Sequence, residues 1–345
     1  MQQEEYLYWA TKNTETTWWH DSAEPHELKL GIERGAIGAT TNPYLTNLAL
    51  INNKKDWEHE IREIFALDLE PEKRTEFLMG IPVKHAVHQL LPIYEKTRGK
   101  MGYVCAQVNP SRAGEREKMF SMAKDISSWA PNITVKLPAD SAGLDVLEEC
   151  IAIGIPATAT VSFTVPQVIA VAERHRKGIE RAKKNKIKPG NCFAVIMIGR
   201  LDDFLREVAL DNHANISEDD IRMSGIAVTK RAYSIFRERK YETVLLIAAL
   251  RGTYHMTEIA GAKLTISIAP NYQKIFMSKD FPHEERIDKK IPADVIERLM
   301  TLPDFVRAYE PDGMEPKDFI SFGSTQRTLT QFVEAGWKLM ENFKQ

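Results

Sequence analysis

The chain has 345 residues, with 46 Lys and Arg against 48 Asp and Glu and a formal net charge of −2. That balance gives no electrostatic footprint for nucleic acid and no polybasic membrane anchor. With 43% hydrophobic and 27% charged residues it reads as a globular protein, long enough for two domains or one (β/α)8 barrel. The polar, acidic start Met1–Glu5 predicts no signal peptide, and apolar runs such as Val244–Leu250 fall far short of the ~20 residues a bilayer requires. Cys105, Cys150 and Cys192 are odd in number and lack CxxC spacing, so a reduced, cytoplasmic protein without a disulfide framework or zinc cage is expected.

In chain order, short β-branched runs occupy Thr16–His20, Ala36–Thr40, Tyr103–Val108, Ile133–Leu137, Ala157–Phe163, Cys192–Ile198, Val244–Leu250 and Leu264–Ile268. Helical patterns fall between most of them, at Glu115–Ser128, Gly143–Ile153, Thr164–Lys183 and Glu218–Arg239. The charged stretch Arg174–Lys188 reads as an exposed helix end and loop. Strands alternating with helices predict a parallel sheet, and eight such units predict a closed (β/α)8 TIM barrel. One barrel domain over residues 1–345 is expected, with extra C-terminal helices in residues 271–345, notably Ala293–Thr301 and Ser324–Phe343.

Barrel active sites lie at the C-terminal ends of the strands, where every second side chain points inward. The fourth run places Thr134 and Lys136 inward, with Ile133 and Val135 toward the helices. A lysine buried there loses proton affinity and becomes an amine able to attack a carbonyl. The competing reading is a lysine that caps the strand and reaches solvent. On the fifth run Thr158, Thr160 and Ser162 share a face, either a polar wall or barrel filler bonded to backbone. The third run places Cys105, Gln107 and Asn109 together, and an inward Gln107 needs hydrogen-bond partners. Asp21 ends the first run as a candidate acid/base or as a helix N-cap before Ala23–Leu28. Arg200 and Arg251 follow the sixth and seventh runs, and guanidinium groups there suit an anion. Salt bridging to loop acids is the alternative for both.

These segments together resemble the transaldolase family, the Schiff-base group that also holds fructose-6-phosphate aldolase. Gly38-Ala39-Thr40-Thr41-Asn42-Pro43 resembles its ATTNP signature, and Thr134-Val135-Lys136-Leu137-Pro138 the segment around its imine-forming lysine. Gly154-Ile155 with Thr160 and Phe163 resembles the next strand, and Ile198-Gly199-Arg200 the VGR segment. The set runs in order over residues 16–270, which is more specific than any motif alone. The resemblance implies an imine between Lys136 and C2 of a ketose, with Asp21 as general acid/base and no cofactor or metal. It implies that Asn42, with Thr41 beside it, binds donor hydroxyls. Thr160 would hold a proton-relaying water, next to Thr158 in the hydroxyl wall, and Arg200 and Arg251 would bind phosphate. The implied partners are sugar phosphates, neither nucleic acid nor membrane, with a homo-oligomer left open.

Several positions depart from the family pattern. Gln107 stands where transaldolases usually carry a glutamate, and resembles the fructose-6-phosphate aldolase branch instead; Met197 stands where that branch has a tyrosine. Val195 and Ala249 replace two serines. Tyr254 and His255 have no counterpart, and His255 is a candidate donor to an anionic head group. A transaldolase, an aldolase releasing dihydroxyacetone, a transaldolase for a 6-sulfo ketose and a non-catalytic sugar-binding barrel therefore all stand as readings.

Overall fold

A computed structural model describes residues 5–344, so the reading of Met1–Glu4 lies outside it. Eight parallel strands close in chain order: β1 (Thr17–Asp21), β2 (Gly38–Thr40), β3 (Tyr103–Gln107), β4 (Ile133–Pro138), β5 (Ala157–Thr160), β6 (Cys192–Met197), β7 (Val244–Ala248) and β8 (Thr265–Ile268). β1 closes on β8, with Thr17 opposite Thr265 and His20 opposite Ile268. Strands β2 to β6 and β8 are buried throughout, as a parallel sheet covered on both faces requires. The chain is a (β/α)8 barrel with further helices after β8.

Two runs end earlier than their composition suggests, for the same physical reason. β5 stops at Thr160 because Val161 has φ 56°, and β7 stops at Ala248 because Ala249 has φ 61°. Both residues are left-handed, so no extended strand continues through them. A β-branched valine in that region costs about 1–3 kcal/mol, and such strain persists only where the surroundings impose it. β6 stops at Met197 because helix Ile198–Asp211 begins on the next residue.

The helical patterns become helices Arg116–Ser127, Ser141–Ala152, Val165–Lys184 and Glu218–Glu238. Three of them start on a side-chain cap: Asp140 accepts from Gly143 N at 2.6 Å, Thr164 accepts from Gln167 N, and Ser217 with Asp220 forms a capping box. The 26-residue helix Pro71–Lys96 runs unbroken through Pro82 and Pro92, residues that ordinarily end a helix, so the sequence does not announce it. The segment Ser324–Phe343 is not one helix. Helix Gly323–Phe332 passes into a π-helical turn, Val333–Trp337, and then Lys338–Glu341. Gly336 lies so close to the start of helix Pro43–Asn52 that a Cβ would sit 2.7 Å from Pro43 C and Tyr44 N. The C-terminal segment thus rests on the loop that leaves β2, at the C-terminal end of the barrel.

Strand register fixes which side chains share the interior. Asp21 pairs with Thr40, Gln107 with Lys136, Lys136 with Thr158, and Met197 with Ala248. At the opposite end Trp19 fills the space across Gly38, where a Cβ would meet the indole at 2.5–2.7 Å.

Candidate active site

Lys136 sits third from the end of β4, only 6% exposed. Its Nζ donates to the Thr41 carbonyl at 3.1 Å. Burial pushes its proton affinity below the ordinary lysine value, against the opposing pull of Cys105 and Asp21. Thr41 is held in place by its hydroxyl, which donates to the Cys105 carbonyl at 2.6 Å. The lysine therefore points into the barrel rather than to solvent.

Gln107 and Thr160 flank it from the neighbouring strands. Both are buried, and neither Gln107 Oε1 nor Thr160 Oγ1 has a protein hydrogen-bond partner. Oxygens of Tyr6, Asn132, Asp140 and Thr325 are left in the same way elsewhere, so it is their position beside Lys136 that singles out Gln107 and Thr160. Thr158 lies one layer lower, where its hydroxyl shares a 2.8 Å bond with Thr134 and takes a 3.8 Å contact from Cys105 Sγ. It belongs to the floor beneath Lys136 and does not reach the mouth. Ser162 and Asn109 leave the wall as well. Ser162, beyond the left-handed Val161, donates to the Val195 carbonyl at 2.5 Å. Asn109 lies past β3 and donates to Glu72 at 2.6 Å.

Asp21 is the last residue of β1. The following helix, Pro25–Glu33, starts after Glu24, so Asp21 is not its N-cap. Thr40 donates to Asp21 Oδ1 at 2.6 Å and also bonds Ser267. Sequence reasoning did not single out Thr40 or Ser267, although the β2 alternation that exposes Asn42 also turns Thr40 inward. Asn42 caps helix Pro43–Asn52, its Oδ1 accepting from Leu45 N at 3.0 Å. The cap leaves its amide nitrogen as the group available for a ligand.

The two arginines come from helix and loop. Arg200 lies in the first turn of helix Ile198–Asp211 and donates to Gln331 Oε1 at 2.6 Å. Its guanidinium stands 5.5 Å from the Phe332 ring, and Lys136 Nζ stands 5.9 Å from the same ring. Burial, with the charge of Arg251 nearby, lowers the Arg200 pKa to about 10. Arg251 Nε donates to Asp203 at 2.7 Å, and its Nη1 to the Ala249 and Leu250 carbonyls. Gly199 permits this approach, since a Cβ there would lie 2.4 Å from both the Ala249 oxygen and Arg251 Cγ. Helix Gly323–Phe332 therefore brings Gln331 and Phe332 to the candidate site, and neither carries a local sequence signal.

His255 lies elsewhere than expected. It is fully buried and both ring nitrogens are engaged: Nδ1 accepts from Arg251 N at 3.0 Å, and Nε2 meets Asp202 Oδ2 at 2.7 Å. It braces the arginine loop from behind and does not offer a donor to the mouth.

The family model described as Transaldolase/Fructose-6-phosphate aldolase matches residues 18–314. The chain belongs to that family. It is 29% identical over 179 residues to Transaldolase 1 of Streptomyces avermitilis, covering 50% of this chain and 47% of the relative. It is 27% identical over 212 residues to a transaldolase of Mycobacterium tuberculosis, covering 59% and 56%. With a transaldolase of Neisseria meningitidis it shares 26% identity over 313 residues, 89% of this chain and 80% of the relative. The first two matches span only about half the length of those relatives.

In this transaldolase-family barrel the polar constellation stands at the strand C-termini, the end where barrel enzymes place chemistry. A cavity of about 900 Å³ opens at the other end, lined by Trp19, Phe193 and Leu264 among others, and it holds none of these residues. The candidate site is marked by the buried amine, not by this cavity. Among the described residues no three His, Cys, Asp or Glu side chains converge as a metal cluster would require. No described helix is long and apolar enough to cross a membrane.

Proposed function

We propose that the chain is a transaldolase, moving a three-carbon dihydroxyacetone unit from a fructose 6-phosphate-like ketose to an aldose through an imine on Lys136. One observation carries this reading: a buried amine of lowered proton affinity inside the barrel mouth, with Asp21 among the charges acting on it. Nζ adds to the C2 carbonyl, and with one proton taken up from solvent the carbinol oxygen leaves as water, giving a cationic imine. Asp21 takes the proton of the C4 hydroxyl as the C3–C4 bond breaks. The bonding pair moves to the imine nitrogen, so an enamine stays on Lys136 and an aldehyde departs. The acceptor aldehyde then takes C3 of the enamine, Asp21 returns the proton to the new hydroxyl, and water releases the longer ketose.

The remaining groups take supporting roles. The Asn42 amide donates to a donor-sugar hydroxyl, with Thr41 holding the amine through its carbonyl. Gln107 Oε1 and Thr160 Oγ1 face the water that enters and leaves with the imine. Arg200 and Arg251 receive the phosphate. Glutamine orients water without taking up a proton, which favours as a second reading an aldolase that releases free dihydroxyacetone. A coupled assay of aldehyde release from fructose 6-phosphate separates the two. Release that requires an aldose acceptor supports the transferase, whereas sustained release without acceptor assigns the aldolase. Competition with a 6-sulfo ketose tests the anion: preference for the phosphate is expected, and a reversed preference would replace phosphate in this reading.

A further inference from the structure

Two buried side chains that the imine chemistry does not use tie the arginine-bearing segments together. Asp202 lies two residues after Arg200 on helix Ile198–Asp211, and His255 four residues after Arg251 on the short helix Tyr254–Thr257. Both are 0% exposed, and His255 Nε2 meets Asp202 Oδ2 at 2.7 Å. Because Nδ1 accepts the Arg251 N–H at 3.0 Å, the ring proton sits on Nε2 and is donated to Asp202. Asp202 is anchored in turn. Its Oδ1 accepts from Ser224 Oγ and Gly225 N, each at 2.9 Å, and its Oδ2 from the Tyr254 hydroxyl at 3.3 Å. A continuous chain of bonds therefore runs from helix Glu218–Glu238 through Asp202 and His255 to the main chain of Arg251. The outer Arg251–Asp203 ion pair is 39% exposed on both sides and open to salt screening, whereas the buried link is not.

We infer that Asp202 and His255 are a positioning pair that sets the Arg251 main chain against Arg200, making the pocket selective for ketoses ending in a tetrahedral oxyanion. The inference rests on the proposed anion role of Arg200 and Arg251 but not on the imine at Lys136, so the two can fail separately. Asp202→Asn is the sharpest variant. Its Oδ1 still accepts from Ser224 and Gly225, but its amide faces Nε2. The ring then moves its proton to Nδ1, against the Arg251 N–H. His255→Ala removes the acceptor outright.

The test titrates inorganic phosphate calorimetrically into wild type and both variants, and in parallel traps dihydroxyacetone on Lys136 with borohydride. Phosphate affinity falling about tenfold in the variants, with the dihydroxyacetone adduct retained, is the expected result, since one hydrogen bond to a charged site is worth that much. Unchanged phosphate affinity in Asp202→Asn overturns the inference, as does a wild type that binds no phosphate. Parallel loss of phosphate and adduct also overturns it, because that is a general loss of structure. Should His255→Ala not fold, the near-isosteric Asp202→Asn decides alone. A wild type that binds phosphate but forms no adduct defeats the imine reading and leaves the phosphate comparison to judge this one.

Discussion

The two walls of the barrel mouth are built differently. On the β1–β5 side, inward strand positions carry Asp21, Thr40, Gln107, Lys136 and Thr160. On the β6–β7 side the corresponding positions are Val195, Leu246, Met197 and Ala248, all apolar. Arg200 and Arg251 enter that side from a helix start and a loop, held by Asp203, Gln331 and the Asp202–His255 pair. One wall places its chemistry by strand alternation, the other by tertiary contacts. Substitutions on the first wall should therefore change bond-making steps, and those on the second should change recognition of the anionic end.

The largest expected effect comes from Lys136→Met. Turnover should fall by more than about 10³-fold, as for other nucleophile deletions, and the borohydride adduct should vanish. Stability should move the opposite way. Burial lowers the Lys136 pKa from 10.5, so between the lowered folded value and 10.5 the unfolded chain binds more protons than the folded one. Wild type is accordingly penalised as pH falls from 10.5 through the lowered folded value, and the penalty is constant below it. Urea midpoints at neutral pH should favour the methionine variant, with the gap closing toward pH 10.5.

Asp21→Asn comes next. Imine formation should survive while C3–C4 cleavage slows by about 10²–10⁴-fold, the usual range for a lost general base. Mass analysis after reduction should then show a six-carbon adduct in place of a three-carbon one. On the other wall, Gly199→Ala drives a Cβ against the Ala249 carbonyl and Arg251. A stability loss of about 1–3 kcal/mol is expected from such overpacking. The KM for a ketose phosphate should rise with little change in trapping of dihydroxyacetone. The smallest effect belongs to Gln331→Ala. It removes one partner of Arg200, and the KM for phosphorylated substrate should shift by no more than about threefold, as fits a single exposed hydrogen bond. A large kcat change from either second-wall variant would erase the distinction between the walls.

The same division explains how much was legible in the sequence. All eight strands follow from short β-branched runs set between helical patterns, and the inward face of β4 from period-two alternation, which strand geometry dictates locally. The ends of β5 and β7 do not, since Val161 and Ala249 adopt left-handed backbone that their residue types do not announce. Helix Pro71–Lys96 is obscured by its own prolines, and the break at Val333–Trp337 by the absence of any proline there. His255 shows the limit most clearly. A histidine near an arginine loop suggests a ligand, and only the fold reveals that Asp202 and the Arg251 N–H already occupy its two nitrogens. Phe332 and Gln331, some 130 residues from Arg200 in sequence, reach the mouth through packing that no local pattern encodes.

The most direct measurement is borohydride trapping with fructose 6-phosphate, followed by peptide mapping of the adduct. A three-carbon adduct confined to the peptide carrying Lys136 is the result this account predicts. A folded protein that gains no mass on Lys136 with fructose 6-phosphate, or gains it on another lysine, would contradict it.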